Sequence, residues 1–164
     1  MEKLIDITVA PVETTEDIEA VRGLFREYAE FMGFELCFEG FDKEMAELPG
    51  PYAPPGGELL LCRVGGEPAG CVATCRFLPG MVELKRLYVR PDFREMKIGR
   101  NLAWLAMGMA GEAGYASIRL ETIPDRMETA VGMYEKLGFE RVACAAGTDP
   151  RIVCYSRTLA DLVG

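Results

Sequence analysis

The stretch VELKRLYVRPDFREMKIGRNLAW, Val82 to Trp104, changes its hydrophobic period within a few residues. VELKRLYV reads as an apolar strand, whereas from Ile98 onward Leu102, Leu105 and Met109 recur at helical spacing. Between them stands a turn carrying Arg90, Pro91, Arg94, Lys97, Gly99 and Arg100. A strand that passes through a short turn into an amphipathic helix needs layers of sheet and helix packed on one another. The first N–H groups of such a helix are unpaired and partly positive, and they open beside the strand end.

The remaining pattern agrees. LIDITVA starts as a strand. Thr14 and Asp17 mark a capped helix start, followed by Ile18, Val21, Phe25, Tyr28 and Met32 at helical spacing. A short helix is expected from Asp42 to Leu48, then a loop, LPGPYAPPGG. ELLLCRV, AGCVATCRF and VELKRLYV form a three-stranded antiparallel meander. Gly114 ends the helix after the basic turn, and ASIRLETI is the next strand. PDRMETAVGMYEKLGF is a helix with Asp125 and Glu128 as a capping box, Met127, Val131, Tyr134 and Leu137 on one face, and Gly138 at its end. FERVACA and RIVCYSRTL close the chain as strands. The order β-α-(α)-β-β-β-α-β-α-β-β predicts an α/β (α+β) fold, a mixed and mostly antiparallel sheet with helices on both faces. No repeat or linker divides the 164 residues, so residues 1–164 are expected to form one domain, long enough to bury about 70% of the unfolded surface.

Composition excludes several classes. No apolar run approaches the ~20 residues needed to cross a bilayer, and MEKLIDITVA lacks a signal layout, so a cytoplasmic protein without membrane contact is expected. A net charge of −8 argues against nucleic-acid binding. A small anionic ligand fits nonetheless, because basic residues cluster between Lys85 and Arg100. The segment EFMGFELCFEGFDKEMAEL concentrates acid (Glu30, Glu35, Glu39, Asp42, Glu44, Glu47); it is either a solvated helical surface or a wall attracting a cationic substrate. Histidine is absent, which removes the commonest general base and zinc ligand; no metal is expected. The six cysteines, Cys37, Cys62, Cys71, Cys75, Cys144 and Cys154, form no CxxC pair and are expected to be buried reduced thiols.

Leu84 and Leu87 cannot share one buried face of a regular strand. Either a β-bulge separates them or the strand is buried on both faces. A bulge would re-aim backbone groups and splay this strand from its neighbour. The turn is neither a Walker loop nor a GxGxxG turn; it is a phosphate cradle at a helix N-terminus or an ordinary Arg-rich surface turn.

LYVRPDFREMKIGRNLAW resembles motif A of the GCN5-related N-acetyltransferase (GNAT) superfamily, whose core signature is Q/R-x-x-G-x-G/A, and MYEKLGF resembles its motif B. The element order is similar over nearly the whole chain. The resemblance implies a sheet with splayed central strands and acetyl-CoA as co-substrate. Its diphosphate would lie on the amides of Arg94, Glu95, Met96, Lys97, Ile98, Gly99 and Arg100, and its pantetheine along Leu87, Tyr88 and Val89. Two departures stand out. Lys97 replaces the signature's first glycine; it fits if its φ stays below zero and its side chain points outward, and weakens binding if φ is positive. The intact flanking residues favour tolerance. Met127 replaces an asparagine common in the family.

Acetyl transfer to an amine needs a proton acceptor, a polarised thioester oxygen and a donor to the departing sulfur. Tyr134 matches the family's donor position; it is also a core tyrosine by its helical face. Glu83 matches a glutamate that acts as base, usually through water, or is a solvated strand carboxylate; Glu121 is the runner-up. The backbone N–H of Val89 or its neighbour would serve the oxyanion. The expected function is N-acetyl transfer from acetyl-CoA to a primary amine by direct attack in a ternary complex. The acidic segment favours a small cationic acceptor, a peptide amine also fits, and a homodimer is compatible with the sequence. The alternative is a non-catalytic acyl-CoA-binding sensor.

Overall fold

The computed structural model describes residues 5–33, 40–124 and 128–162, with the backbone alone at 128. Strand β1 (Ile7–Pro11) leads to helix α1 (Thr15–Met32). Thr14 accepts a hydrogen bond from the Asp17 N–H, and the Asp17 carboxylate accepts from the Thr14 N–H, so the expected capping box forms. Helix α2 (Phe41–Glu47) and a single 3₁₀ turn at Gly50–Tyr52 precede strands β2 (Glu58–Val64), β3 (Glu67–Leu78) and β4 (Met81–Val89). Then come α3 (Ile98–Glu112), β5 (Ser117–Thr122), α4 (Glu128–Lys136), β6 (Glu140–Val142) and β7 (Val153–Thr158).

The strands form one seven-stranded sheet in the order β1-β2-β3-β4-β5-β7-β6. Every neighbouring pair is antiparallel except β4 with β5. Two apolar layers cover the sheet. On one face Val21, Leu24 and Phe25 of α1 and Phe41 and Met45 of α2 meet Leu59, Leu61, Cys71 and Ala73. On the other, α3 and α4 meet Leu60, Cys62, Val82, Leu84, Ile118 and Leu120. The alternation of Leu59, Leu60 and Leu61 between the layers explains why ELLLCRV is apolar without a gap.

Two expectations need correction. Leu105 of the expected α3 stripe is 41% exposed, and the buried face runs through Ile98, Leu102, Ala103, Ala106, Met107 and Ala110. Small alanines rather than the leucine face the sheet, which lets the helix lie close to it. The cysteines are not all reduced: Cys144 and Cys154 form a disulfide. The pairing of Val142 with Cys154 brings the two Cα atoms to 5.5 Å, a proximity set by the β6–β7 register and invisible in their spacing. Cys62, Cys71 and Cys75 are free; Cys62 and Cys71 are buried as expected, whereas Cys75, on the same α1 face as Cys71, is half-buried. Cys37 and the Asp125 of the expected capping box lie outside the described residues, as do Met127, Glu35 and Glu39. Among the described residues no helix is long and apolar enough to cross a membrane.

Candidate active site

The bulge is present. Cys71 pairs with Tyr88 but Ala73 pairs with Lys85, so β4 spends three residues where β3 spends two. Arg86 takes up the excess at φ 59°. Its guanidinium leaves the strand toward α2 and holds the Glu44 carboxylate through two hydrogen bonds of 3.0 and 2.9 Å. Leu84 and Leu87 consequently face one core and Tyr88 the other. Strands β4 and β5 pair only over Met81–Glu83, and beyond the Glu83–Arg119 rung they part. Arg90 N–H donates to Ala69 C=O at 2.8 Å, which makes Gly70–Val89 a non-hydrogen-bonded pair and turns the Val89 N–H away from β3, into the gap.

The basic turn opens on one side of this gap. The N-terminus of α3 has no side-chain cap among the described residues. Its first internal bond comes from Asn101 N–H to Lys97 C=O, so the N–H groups of Ile98, Gly99 and Arg100 stay open. Lys97 sits at φ 61°, ψ 21°. The sequence expectation of a negative φ there is corrected: the backbone keeps the left-handed turn that a glycine would adopt freely, at a cost of roughly 1–2 kcal/mol for the lysine. Glu95 is left-handed too, at φ 73°. Arg94 donates from Nε to the Val89 C=O (3.0 Å) and lies 5.1 Å from the Phe31 ring centroid, so it braces the turn against α1. A cavity of about 730 Å³ follows this surface. Leu87, Tyr88, Val89, Arg94, Glu95, Lys97, Ile98, Gly99 and Arg100 all line it. Met96 does not; it packs against the α3-side core.

A second chamber, of about 290 Å³, lies on the other side of Leu87, which lines both. It brings Glu83, Glu121 and Tyr134 together from two strands and α4. Glu83 pairs with Arg119, whose other nitrogen holds Glu121 at 3.1 Å, and the Arg119 guanidinium stacks 4.3 Å from the Phe77 ring. Burial pushes the Glu83 carboxyl above the usual range, against the pull of Lys85 and Arg119. Tyr134 is 4% exposed and packs edge-on against Phe139 at 5.7 Å. Burial raises its phenol well above the ordinary value, so it stays protonated at neutral pH. Its hydroxyl makes no hydrogen bond among the described residues. Thr122, 5% exposed, has a hydroxyl in the same wall with no partner among the described residues.

The acidic segment does not form that wall among the described residues. Glu30, Asp42 and Glu47 are exposed and Glu44 is spent on Arg86. Arg119, Thr122 and Phe31 escaped the sequence reading. Arg119 alternates in ASIRLETI like any solvent-facing strand residue, and its partner lies 36 positions away; no local signal marks it.

A family model described as Acetyltransferase (GNAT) family matches residues 19–139. An uncharacterised N-acetyltransferase of Schizosaccharomyces pombe is 36% identical over 142 residues, covering 85% of this chain and 86% of the relative. The uncharacterised N-acetyltransferase YjgM of Escherichia coli is 28% identical over 154 residues, 91% of this chain and 92% of its own. Among solved structures, the PaiA N-acetyltransferase of Thermoplasma acidophilum in complex with coenzyme A superposes with a TM-score of 0.73 at 20% identity, over 93% of this chain and 99% of that one.

Proposed function

Because the chain belongs to the GNAT family and is an acetyltransferase, we propose that it transfers acetyl from acetyl-CoA to a primary amine by direct attack in a ternary complex, as one cytoplasmic domain. The observation that carries this reading is the uncapped α3 N-terminus opening onto a cavity that adjoins, at Leu87, a chamber holding a protonated tyrosine and a glutamate. Three open N–H groups at a helix N-terminus suit a diphosphate, and Lys97 and Arg100, both exposed on the same turn, add positive charge. The left-handed Lys97 strains the turn relative to a glycine but leaves these amides open and adds a positive charge beside them. Acetyl-CoA supplies the activated acyl group.

The chain's own groups then divide the work. The Val89 N–H, turned to the gap, donates to the carbonyl oxygen as negative charge develops. Tyr134 donates its proton to the leaving sulfur. Glu83 takes the proton of the ammonium through water, aided by a carboxyl pushed above its ordinary range; Glu121, pinned to the same arginine but more exposed, is second. No covalent enzyme intermediate is needed. The expectation of a small cationic acceptor drew on the acidic segment, whose described carboxylates stand outside the chamber; the acceptor's charge is argued below from the chamber itself.

Calorimetry with coenzyme A, followed by mass spectrometry of acetylated products over an amine panel, tests this reading. Binding that vanishes on Arg100→Glu and turnover of at least one amine are expected. No coenzyme A binding at millimolar concentration would refute it.

A further inference from the structure

We infer that the acceptor is a small amino acid-type zwitterion, its carboxylate held by Lys85 while its amine enters the gap between β4 and β5. The inference rests on the acetyltransferase reading and names the substrate class of the acceptor chamber.

The chamber's charges are balanced in number but not in space. Lys85, Arg86 and Arg119 line it on the positive side and Glu83 and Glu121 on the negative. Glu44, behind Arg86, brings the count to three against three. Arg119 gathers both Glu83 and Glu121, and Arg86 holds Glu44 in a fork. Lys85 is left with no hydrogen bond or ion pair within 4 Å among the described residues, although it is partly buried and its charge reaches Glu83. It stands on the same strand face as Glu83, just past the last β4–β5 rung. A polycation would add charge to a site with no spare carboxylate. A zwitterion adds none, and its carboxylate would meet the one ammonium lacking a direct partner.

The other end of the chamber points to a ligand independently. Thr122 is more than nine-tenths buried and lines it with a hydroxyl that no described group engages. Buried polar atoms are left unpaired in few places, and those call for a partner from outside the chain. An amine with its hydrating water, entering beside Glu83, would supply one. Size adds a limit: about 290 Å³ equals the liquid volume of roughly ten waters, enough for a free amino acid.

The test compares matched acceptors with the intact enzyme and acetyl-CoA: leucine against leucinamide and isoamylamine, lysine against lysinamide and cadaverine, and spermidine. Initial rates are read by mass spectrometry. The free amino acids should exceed their amides in kcat/KM by about tenfold to a hundredfold, the difference lying in KM. Lys85→Met should collapse that ratio to within about threefold with coenzyme A affinity kept, while Lys85→Arg should retain most of it; because acid and amide are compared within each variant, any effect of the lost charge on Glu83 cancels from the ratio. Should Lys85→Met fail to fold, Lys85→Gln serves the same comparison. Amides or diamines acetylated as well as the acids, or an acid-to-amide ratio indifferent to Lys85, overturns the inference while the acetyltransferase reading stands. Coenzyme A binding without acetylation of any amine refutes that reading itself, and the inference with it.

Discussion

Replacing Tyr134 by phenylalanine removes one oxygen and should separate stability from catalysis. The ring is 4% exposed and packs edge-on to Phe139; phenylalanine keeps both contacts. The hydroxyl makes no hydrogen bond among the described residues, so the substitution removes no net hydrogen bond of ~1 kcal/mol, and exchanging a largely desolvated hydroxyl for a hydrogen gives a neutral to slightly stabilising change, about 0–1 kcal/mol. For a chain of this length that is a Tm change of about 0 to +4 °C. The catalytic loss should be far larger. Withdrawing a positioned general acid slows the chemical step by about 10²–10⁴, or about 2.7–5.4 kcal/mol in the barrier. Both kcat and kcat/KM should fall by that factor while coenzyme A affinity is kept. Burial raises the phenol's pKa above its ordinary 10.0. The folded state therefore holds this proton more tightly than the unfolded one. That contribution to stability is complete below about pH 10 and fades as the pH rises through the folded value. The phenylalanine variant should lack this alkaline loss. Differential scanning fluorimetry across pH and product mass spectrometry measure the two quantities. Unchanged turnover, or a Tm drop of several degrees, would refute the reasoning.

Three further outcomes are expected. Burial lifts Glu83 above the carboxylate range, so the proton acceptor is blocked at low pH and the acid limb of kcat/KM should lie above the ordinary 4.5; Glu83→Gln should abolish that limb, and a limb that stays in place removes Glu83 from the role. The Cys144–Cys154 bridge closes a loop over a separation of 10 residues, which corresponds to about 2.5–3 kcal/mol; Cys144→Ser should lower Tm by roughly 5–12 °C without reductant, and dithiothreitol should bring the native protein down to the same value. Thr14→Ala breaks the capping box of α1 and should cost about 1 kcal/mol in chemical denaturation, with acetylation kinetics unaltered.

How much of this was legible before the fold was known follows from the range of each interaction. Nine of the ten expected cavity residues line it because turn, helix start and strand end are contiguous in the chain; Met96 turned inward because only packing chooses a side chain's direction in an irregular turn. The bulge was one of two readings legible in Leu84 and Leu87, the other being a strand buried on both faces; the structure chose between them by placing both leucines in one core. The capping box was legible because its groups lie three residues apart.

The amino-acid sequence by itself determined the order of elements and the capped start of α1, and narrowed β4 to a bulge or a doubly buried strand and the basic turn to a cradle or a plain surface turn, all through periods and contacts within a few residues. The tertiary structure alone decided that β7 enters between β5 and β6, that Cys144 meets Cys154, that Arg119 collects both acids and that Lys85 is left over. Strand neighbours, and hence the charges that face one another across them, are selected by burying both faces of the whole sheet at once, a condition that no local stretch of the chain contains.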